Sequence, residues 1–248
     1  MQTLRDALWI FQNELRIGRR DSAIVAVLFV MPFVVLYLVA PSMRPALIMQ
    51  GYTDATGAEQ AMPGIAVLFS NFAMAFLAFA IFREHPWMTW DRLLASPMSR
   101  VAIFGGKSLL PFLLVIMQQL ILMSVASWIF GVELRAGLPA YILLSAALAL
   151  FTVGAGLALS AWLSSLQEVN SVVNVGTFAL AGLGGAFGPL EYMPEWIQTI
   201  SVFSPNFWAI DGFKTILLDP VGASTLPAVQ AILPGAGVLV ACGIVLFS

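Results

Sequence analysis

Six long apolar runs limit what this chain can fold into. They cover Ala23–Ala40, Met62–Phe82, Ser108–Phe130, Leu138–Trp162, Val169–Phe187 and Ala228–Phe247. About 20 residues of α-helix, rising about 1.5 Å each, cross the hydrocarbon core of a bilayer. Within that core every backbone N–H and C=O must be paired inside the protein, which leaves helices or a closed barrel. Barrel strands alternate apolar and polar residues, whereas these runs are continuous. The expectation is an all-α membrane protein with six transmembrane helices. With 60% hydrophobic and 10% charged residues, the chain lacks the polar surface of a soluble domain, about a quarter of which is charged. A soluble enzyme, a disordered chain and a disulfide scaffold are excluded. Cys242 is the single cysteine, so no internal disulfide can form.

The first run is expected to stay as an anchor. It follows a segment with Arg16, Arg19 and Arg20, and Ala40–Met43 only imitates the small-residue site that follows a cleaved leader. Cytoplasmic loops are enriched in Lys and Arg. Arg5, Arg16, Arg19, Arg20, Arg83, Arg92, Arg100 and Lys107 fall on the side of the N-terminus, against Arg44, Arg135 and Lys214 on the other. The expectation is therefore a multi-pass protein of the bacterial inner or plasma membrane with its N-terminus in the cytoplasm. Residues 1–22 form a cytoplasmic interface helix and residues 23–248 a six-span domain. That domain carries an inner loop element at 83–100 and a long outer connection at 188–227. A net charge of −2 offers no basic field for nucleic acid.

The loops carry more than connection. Leu4, Ala7, Leu8, Phe11 and Leu15 share one helical stripe while Arg5, Gln12, Asn13 and Arg16 lie elsewhere, the pattern of an amphipathic helix in the headgroup plane. It serves either as a simple lipid anchor or as a platform for a cytoplasmic partner. In the second connection Thr89 caps a short helix ending before Pro97. That helix would show Trp90, Leu93 and Leu94 beside Asp91 and Arg92. Apolar anchors ringed by charge suit docking in a protein cleft; a helix lying on the membrane surface is the plainer reading. In the fifth connection Glu195–Phe203 and Asn206–Leu218 are each too short to span, and they meet at Ser204-Pro205. They read as a re-entrant helical hairpin before the last span, or as an interfacial hairpin held by Trp196 and Trp208.

No carboxylate or histidine lies near the middle of any run, which removes the usual ion relay. Asn71, Gln118, Gln119, Asn170 and Asn174 are the polar residues within or beside the runs. They either bond helix to helix or line a substrate route. Gly184 with Gly188, and Gly154 with Ala158, have the small-residue spacing that lets helices approach, a possible dimer contact. Phe104–Ser108 echoes the end of a phosphate loop, but Val101 stands where its first glycine is needed. His85 is the only histidine, so a histidine-based metal site or intramembrane protease pair is excluded.

Two separated stretches resemble the type-2 ABC exporter permeases, the membrane subunits of bacterial drug and polysaccharide exporters. The first begins at Pro63-Gly64-Ile65 and enters the inner element, where the family reads approximately R-E-R-E-x-G-T-L-E-R-L-L-x-T-P. Arg83, Glu84, Thr89, Arg92, Leu93, Leu94 and Pro97 match it, and Asp91 and Ser96 are conservative. His85, Pro86, Met88 and Trp90 depart from it. The second runs from Phe187 to Gln198, then through Ser204-Pro205 and Ala209–Gly212. The Pro-Gly-Ile start and short chain are closer to the drug-exporter branch.

The resemblance implies a permease that hydrolyses nothing itself. It implies a separate ATP-binding cassette subunit carrying ATP and Mg, and a second copy of the permease or a related one. Glu84, Trp90, Asp91, Arg92, Leu93, Leu94, Pro97 and Arg100 are then expected to couple to the ATPase. Glu191, Pro194, Trp196, Pro205 and Trp208 would form an outer gate, with Asn71, Gln118, Asn174, Gly184 and Gly188 as pathway or dimer contacts. The competing class is an ATP-independent membrane carrier or a scaffold.

Overall fold

A helix begins and ends where its loose N–H and C=O groups find partners, and side chains fix several boundaries here. The computed structural model describes residues 2–20, 26–84, 92–93, 95–218 and 225–246. Its helices are α1 (Gln2–Gly18), α2 (Met31–Met49, continuing a π-turn at Ala26–Val30), α3 (Ala58–Asn71), α4 (Ala73–Phe82), α5 (Arg100–Phe130), α6 (Leu138–Trp162), α7 (Leu166–Leu183), a 3-10 turn at Leu190–Tyr192, α8 (Glu195–Ser201), α9 (Pro205–Leu218) and α10 (Leu226–Leu246). No strand occurs among the described residues.

Capping explains where the boundaries differ from the apolar runs. The second span starts at Ala58 rather than Met62, because the Glu59 carboxylate reaches back to accept from Thr56 N (3.0 Å) and Gly57 N (3.0 Å). Gly57, at φ +98°, is backed against Ala40 O, where a Cβ would collide. The third starts at Arg100, well before Ser108, since Ser99 Oγ accepts from Ala102 N at 3.2 Å. It ends at Gly131 in the left-handed region, φ 70°. The first span runs through Pro41 and Pro45 to Met49 instead of stopping at Ala40.

Among the described residues, five helical stretches are long and apolar enough to cross a membrane: Ala26–Met49, Ala58–Phe82, Arg100–Phe130, Leu138–Trp162 and Leu226–Gly243. The expected fifth run is the exception. Its helix α7 starts early, on Ser165 Oγ accepting from Glu168 N and Glu168 accepting from Ser164 N. It stops at Leu183, before a turn with Gly185 at φ 83°. Gln167, Glu168, Asn170 and Asn174 dilute its apolar character.

Every residue of α3 is buried, and α2, α5 and α9 pack around it. The inner core polar groups bond across it: Gln118 Nε2 and Gln119 Nε2 both donate to Ala66 O (3.4 and 3.3 Å), and Tyr141 Oη donates to Gln119 O at 3.0 Å. Helix α10 lies along α6, and a Cβ at Gly154 would sit 3.0 Å from Ala236 O. The Gly154–Ala158 spacing thus serves an approach within the chain, not the dimer contact its spacing first suggested.

Candidate functional site

Helix α1 docks along the first turns of α5. Gly106 makes this possible, since a Cβ there would lie 2.7 Å from both Ala7 O and Ile10 Cβ. The two backbones touch where any larger residue would hold them apart. The packed face of α1 is Ile10 and Glu14, with Ala7, Phe11 and Gly18 half-buried beside them. Leu4 and Leu8 stay exposed. The docked face is thus turned roughly 60° from the apolar stripe read from the sequence, given 100° per residue, and Ala7, Phe11 and Leu15 of that stripe are half-buried. Leu4 and Leu8 remain free to meet lipid.

Glu14 is the centre of the site. Its side chain is only 3% exposed, and each oxygen holds a different cation: Oε2 pairs with Arg83, and Oε1 accepts from Lys107 Nζ at 2.8 Å. Lys107, 1% exposed, also donates to Glu84 Oε1 and to Ala80 O, both at 2.9 Å. Two carboxylates and two cations balance, and all three ammonium protons have acceptors. An unpaired charge at this depth would be costly; this arrangement is matched in charge and hydrogen bonding. It fastens α1, the end of α4 and the start of α5 into one block.

The inner loop element leaves span two from this block. Trp90, Asp91 and Leu94, expected as coupling residues, lie outside the described residues. Of the others, Glu84 is engaged with Lys107, while Arg92, Pro97 and Arg100 are exposed. Leu93 was expected to be displayed; instead it is half-buried against the Leu77, Ile81, Phe104, Val153 and Leu157 cluster of its own chain. Those side chains offer it the apolar cover it would otherwise seek on a partner. Between α1 and this segment lies a cavity of about 280 Å³, with Trp9, Asn13, Arg92 and Met98 among its lining.

At the far end of the bundle, α8 and α9 meet at Ser204-Pro205, at the break read from the sequence. Glu191, Pro194 and Trp196 are exposed, and Pro205 and Trp208 half-buried. Trp208 Nε1 donates to Val202 O at 2.8 Å, which closes the corner. Gly184 packs within the chain, its Cβ position 3.0 Å from Asn206 C, while Gly188 meets nothing within 4 Å. Asn71 and Gln118 are buried in the bundle and Asn174 is exposed on α7. These three do not form one lining.

Glu14, Gly106 and Lys107 are the residues that reading by pattern passed over as a set. Glu14 stands unused on a helix read only for its apolar stripe, and Gly106-Lys107, which fits the family resemblance, carries no sign of a link to it. An acid on the flank of an amphipathic helix, with a Gly-Lys pair opening a later span, is a signal only when the two are considered together.

The sequence pattern of the ABC-2 type transporter family matches residues 7–218, from α1 to the end of α9. The linearmycin resistance permease protein LnrN of Bacillus subtilis is 29% identical over 181 residues, covering 73% of this chain and 46% of that protein. The probable multidrug ABC transporter permease YbhR of Escherichia coli K12 is 27% identical over 154 residues, covering 62% of this chain and 42% of its own. The chain thus spans less than half the length of the curated relatives it matches. With most of its length inside the shared pattern, the chain belongs to the ABC-2 type transporter family.

Proposed function

We propose that this chain is the permease subunit of an ATP-binding cassette exporter, forming the route for an amphipathic or lipid-like compound such as a drug, antibiotic or glycolipid. A separate subunit would bind ATP and Mg and supply the work. The observation that carries this reading is the Glu14–Lys107–Glu84–Arg83 cluster. It sits where the element at 83–100 leaves span two. A push on that element would move α1, α4 and α5 together rather than bend one loop. Such a push requires the ATPase to hold one permease conformation more tightly than the other.

In this reading the α1 end faces the cytoplasm, in line with the excess of Lys and Arg there. Residues 1–22 lie at the membrane surface and 23–248 in the bilayer. Helix α7 is the fifth of six crossings, tolerated although polar because its exposed Asn170 and Asn174 face a second copy of the chain or the pathway. Helices α8 and α9 form a re-entrant outer gate. The names of the two relatives, one a linearmycin resistance permease and the other a probable multidrug permease, favour a drug-like cargo.

The test replaces Arg92 with Glu and Leu93 with Ala together, in the full chain co-expressed with its ATP-binding subunit. Co-purifying ATPase and stimulated ATP hydrolysis should each fall about 10-fold, the effect of losing one strong interface contact. Unchanged values for both would overturn the docking role. Drug uptake by proteoliposomes holding the permease alone would favour an ATP-independent carrier.

A further inference from the structure

The second span is two helices, not one. The ladder is interrupted at Phe72, whose N–H donates to Phe69 O at 3.2 Å, three residues back instead of four, and whose own carbonyl is shared by Ala75 N at 3.1 Å and Phe76 N at 3.3 Å. Phe72 sits at φ −64°, ψ −17°, a 3-10 conformation. Sharp helix breaks usually trace to proline, glycine or a π-bulge. None stands at Asn71–Ala73; only Ser70, whose hydroxyl donates to Val67 O at 2.8 Å, adds a local bend.

Asn71 is fully buried at this break, and neither its amide nitrogen nor its oxygen has a hydrogen-bond partner. On the facing α5, Gln118 Oε1 is likewise buried and unpartnered. One wholly idle amide, Asn71, and one idle amide oxygen on Gln118, whose nitrogen still donates to Ala66 O, are unfavourable in this arrangement, and they would be relieved in another. The two halves share α5 and α7 as neighbours and differ in the rest. Outer α3 packs on α2 and α9, while α4 packs on α6, where a Cβ at Gly156 would lie 3.0 Å from Met74 O. The α4 half ends at Arg83, inside the ion cluster.

We infer that Asn71–Phe72 is a two-state hinge, with the ladder interrupted and Asn71 idle here and with that amide paired in the alternative conformation. It lets the α4 half move with α6 and the ion cluster while the α3 half stays with α2 and α9. That the ATPase drives the movement rests on the function proposed above; the hinge itself does not.

The test has two arms. With the full chain alone in lipid nanodiscs, hydrogen–deuterium exchange at Phe72–Phe76 should outpace that at Ala61–Val67. Asn71→Leu, which keeps the shape and removes both idle groups, should slow it about 10-fold, the factor that 1.4 kcal/mol confers. It should also raise Tm by ~2–4 °C. In the complex with the ATPase, ATP with Mg should change exchange at Phe72–Phe76 in the wild-type chain and not in the variant, with ATPase co-purification unaltered. Exchange in the wild-type chain no faster at the break than upstream overturns the hinge even if the variant fails to fold, as does an unchanged or lowered Tm in a folded variant. A hinge that behaves as stated in nanodiscs but ignores ATP overturns only its coupling to the ATPase.

Discussion

At the scale of single residues, the carboxylate of Glu14 and the ammonium of Lys107 are the charges whose loss the fold would feel most. Removing one partner of a buried pair costs about 3–5 kcal/mol, because the other is left without compensation. Arg83 can turn to water, its side chain being 36% exposed, and Glu84 is 18% exposed. Lys107→Met therefore leaves Glu14 with a partner already drawn toward solvent, and Glu14→Gln leaves Lys107 on Glu84 and Ala80 O. Each single variant should lower stability by about 3 kcal/mol, at the low end of that range. The double variant should be no worse than the worse single, giving a coupling of about 3 kcal/mol. Urea unfolding of the detergent-solubilised chain measures this. Strictly additive losses would mean that Glu14 and Lys107 stabilise the fold independently.

At the scale of elements, neighbouring glycines separate close packing from helix propensity. A Cβ at Gly106 would strike Ala7 O and Ile10, whereas one at Gly105 meets nothing within 4 Å. Gly106→Ala should loosen α1 from α5 and speed tryptic cleavage at Arg16 and Arg19 several-fold, since local opening sets the rate of such cuts. Gly105→Ala should leave cleavage unchanged and add up to about 1 kcal/mol from helix propensity. Equal cleavage of both variants would remove the docking argument.

These same elements mark what a pattern can and cannot disclose. Continuous apolar runs report burial in lipid or core, so the helices behind Leu138–Trp162 and the corner at Ser204-Pro205 were legible. Boundaries moved where capping by Ser99, Ser165 or Glu59 outranked hydropathy. The break at Phe72 was not legible, because neither proline nor glycine marks it and Ser70-Asn71 within an apolar run reads equally well as continuous helix. The partnership of Glu14 with Lys107 was hidden for a different reason: it joins residues far apart in sequence, and only packing brings them within 2.8 Å.

At the scale of the whole molecule, the surface tells which sides meet lipid and which do not. Trp128 near the far end of α5 and Trp162 at the opposite end of α6 are almost fully exposed, at 86% and 81%. Exposed aromatic side chains near the ends of membrane helices settle at the membrane–water interfaces. Helix α7 buries Val169, Val173, Thr177 and Ala181 and exposes Asn170, Asn174 and Phe178 along a line about 100° further round the helix. Asn174 Nδ2 donates to Asn170 Oδ1 at 2.9 Å, so the two amides satisfy one another only in part. An amide stripe facing hydrocarbon is unfavourable, whereas a second copy turned about a two-fold axis would present the same stripe back to it. A chain with Cys242→Ser and Asn174→Cys should then form an oxidant-induced dimer in native membranes. Cysteine placed instead at Val238, exposed on α10, should not cross-link. Dimer at Val238 and none at Asn174 would place the seam on α10 and leave α7 to line the route, where Asn174→Cys should react with a water-soluble maleimide.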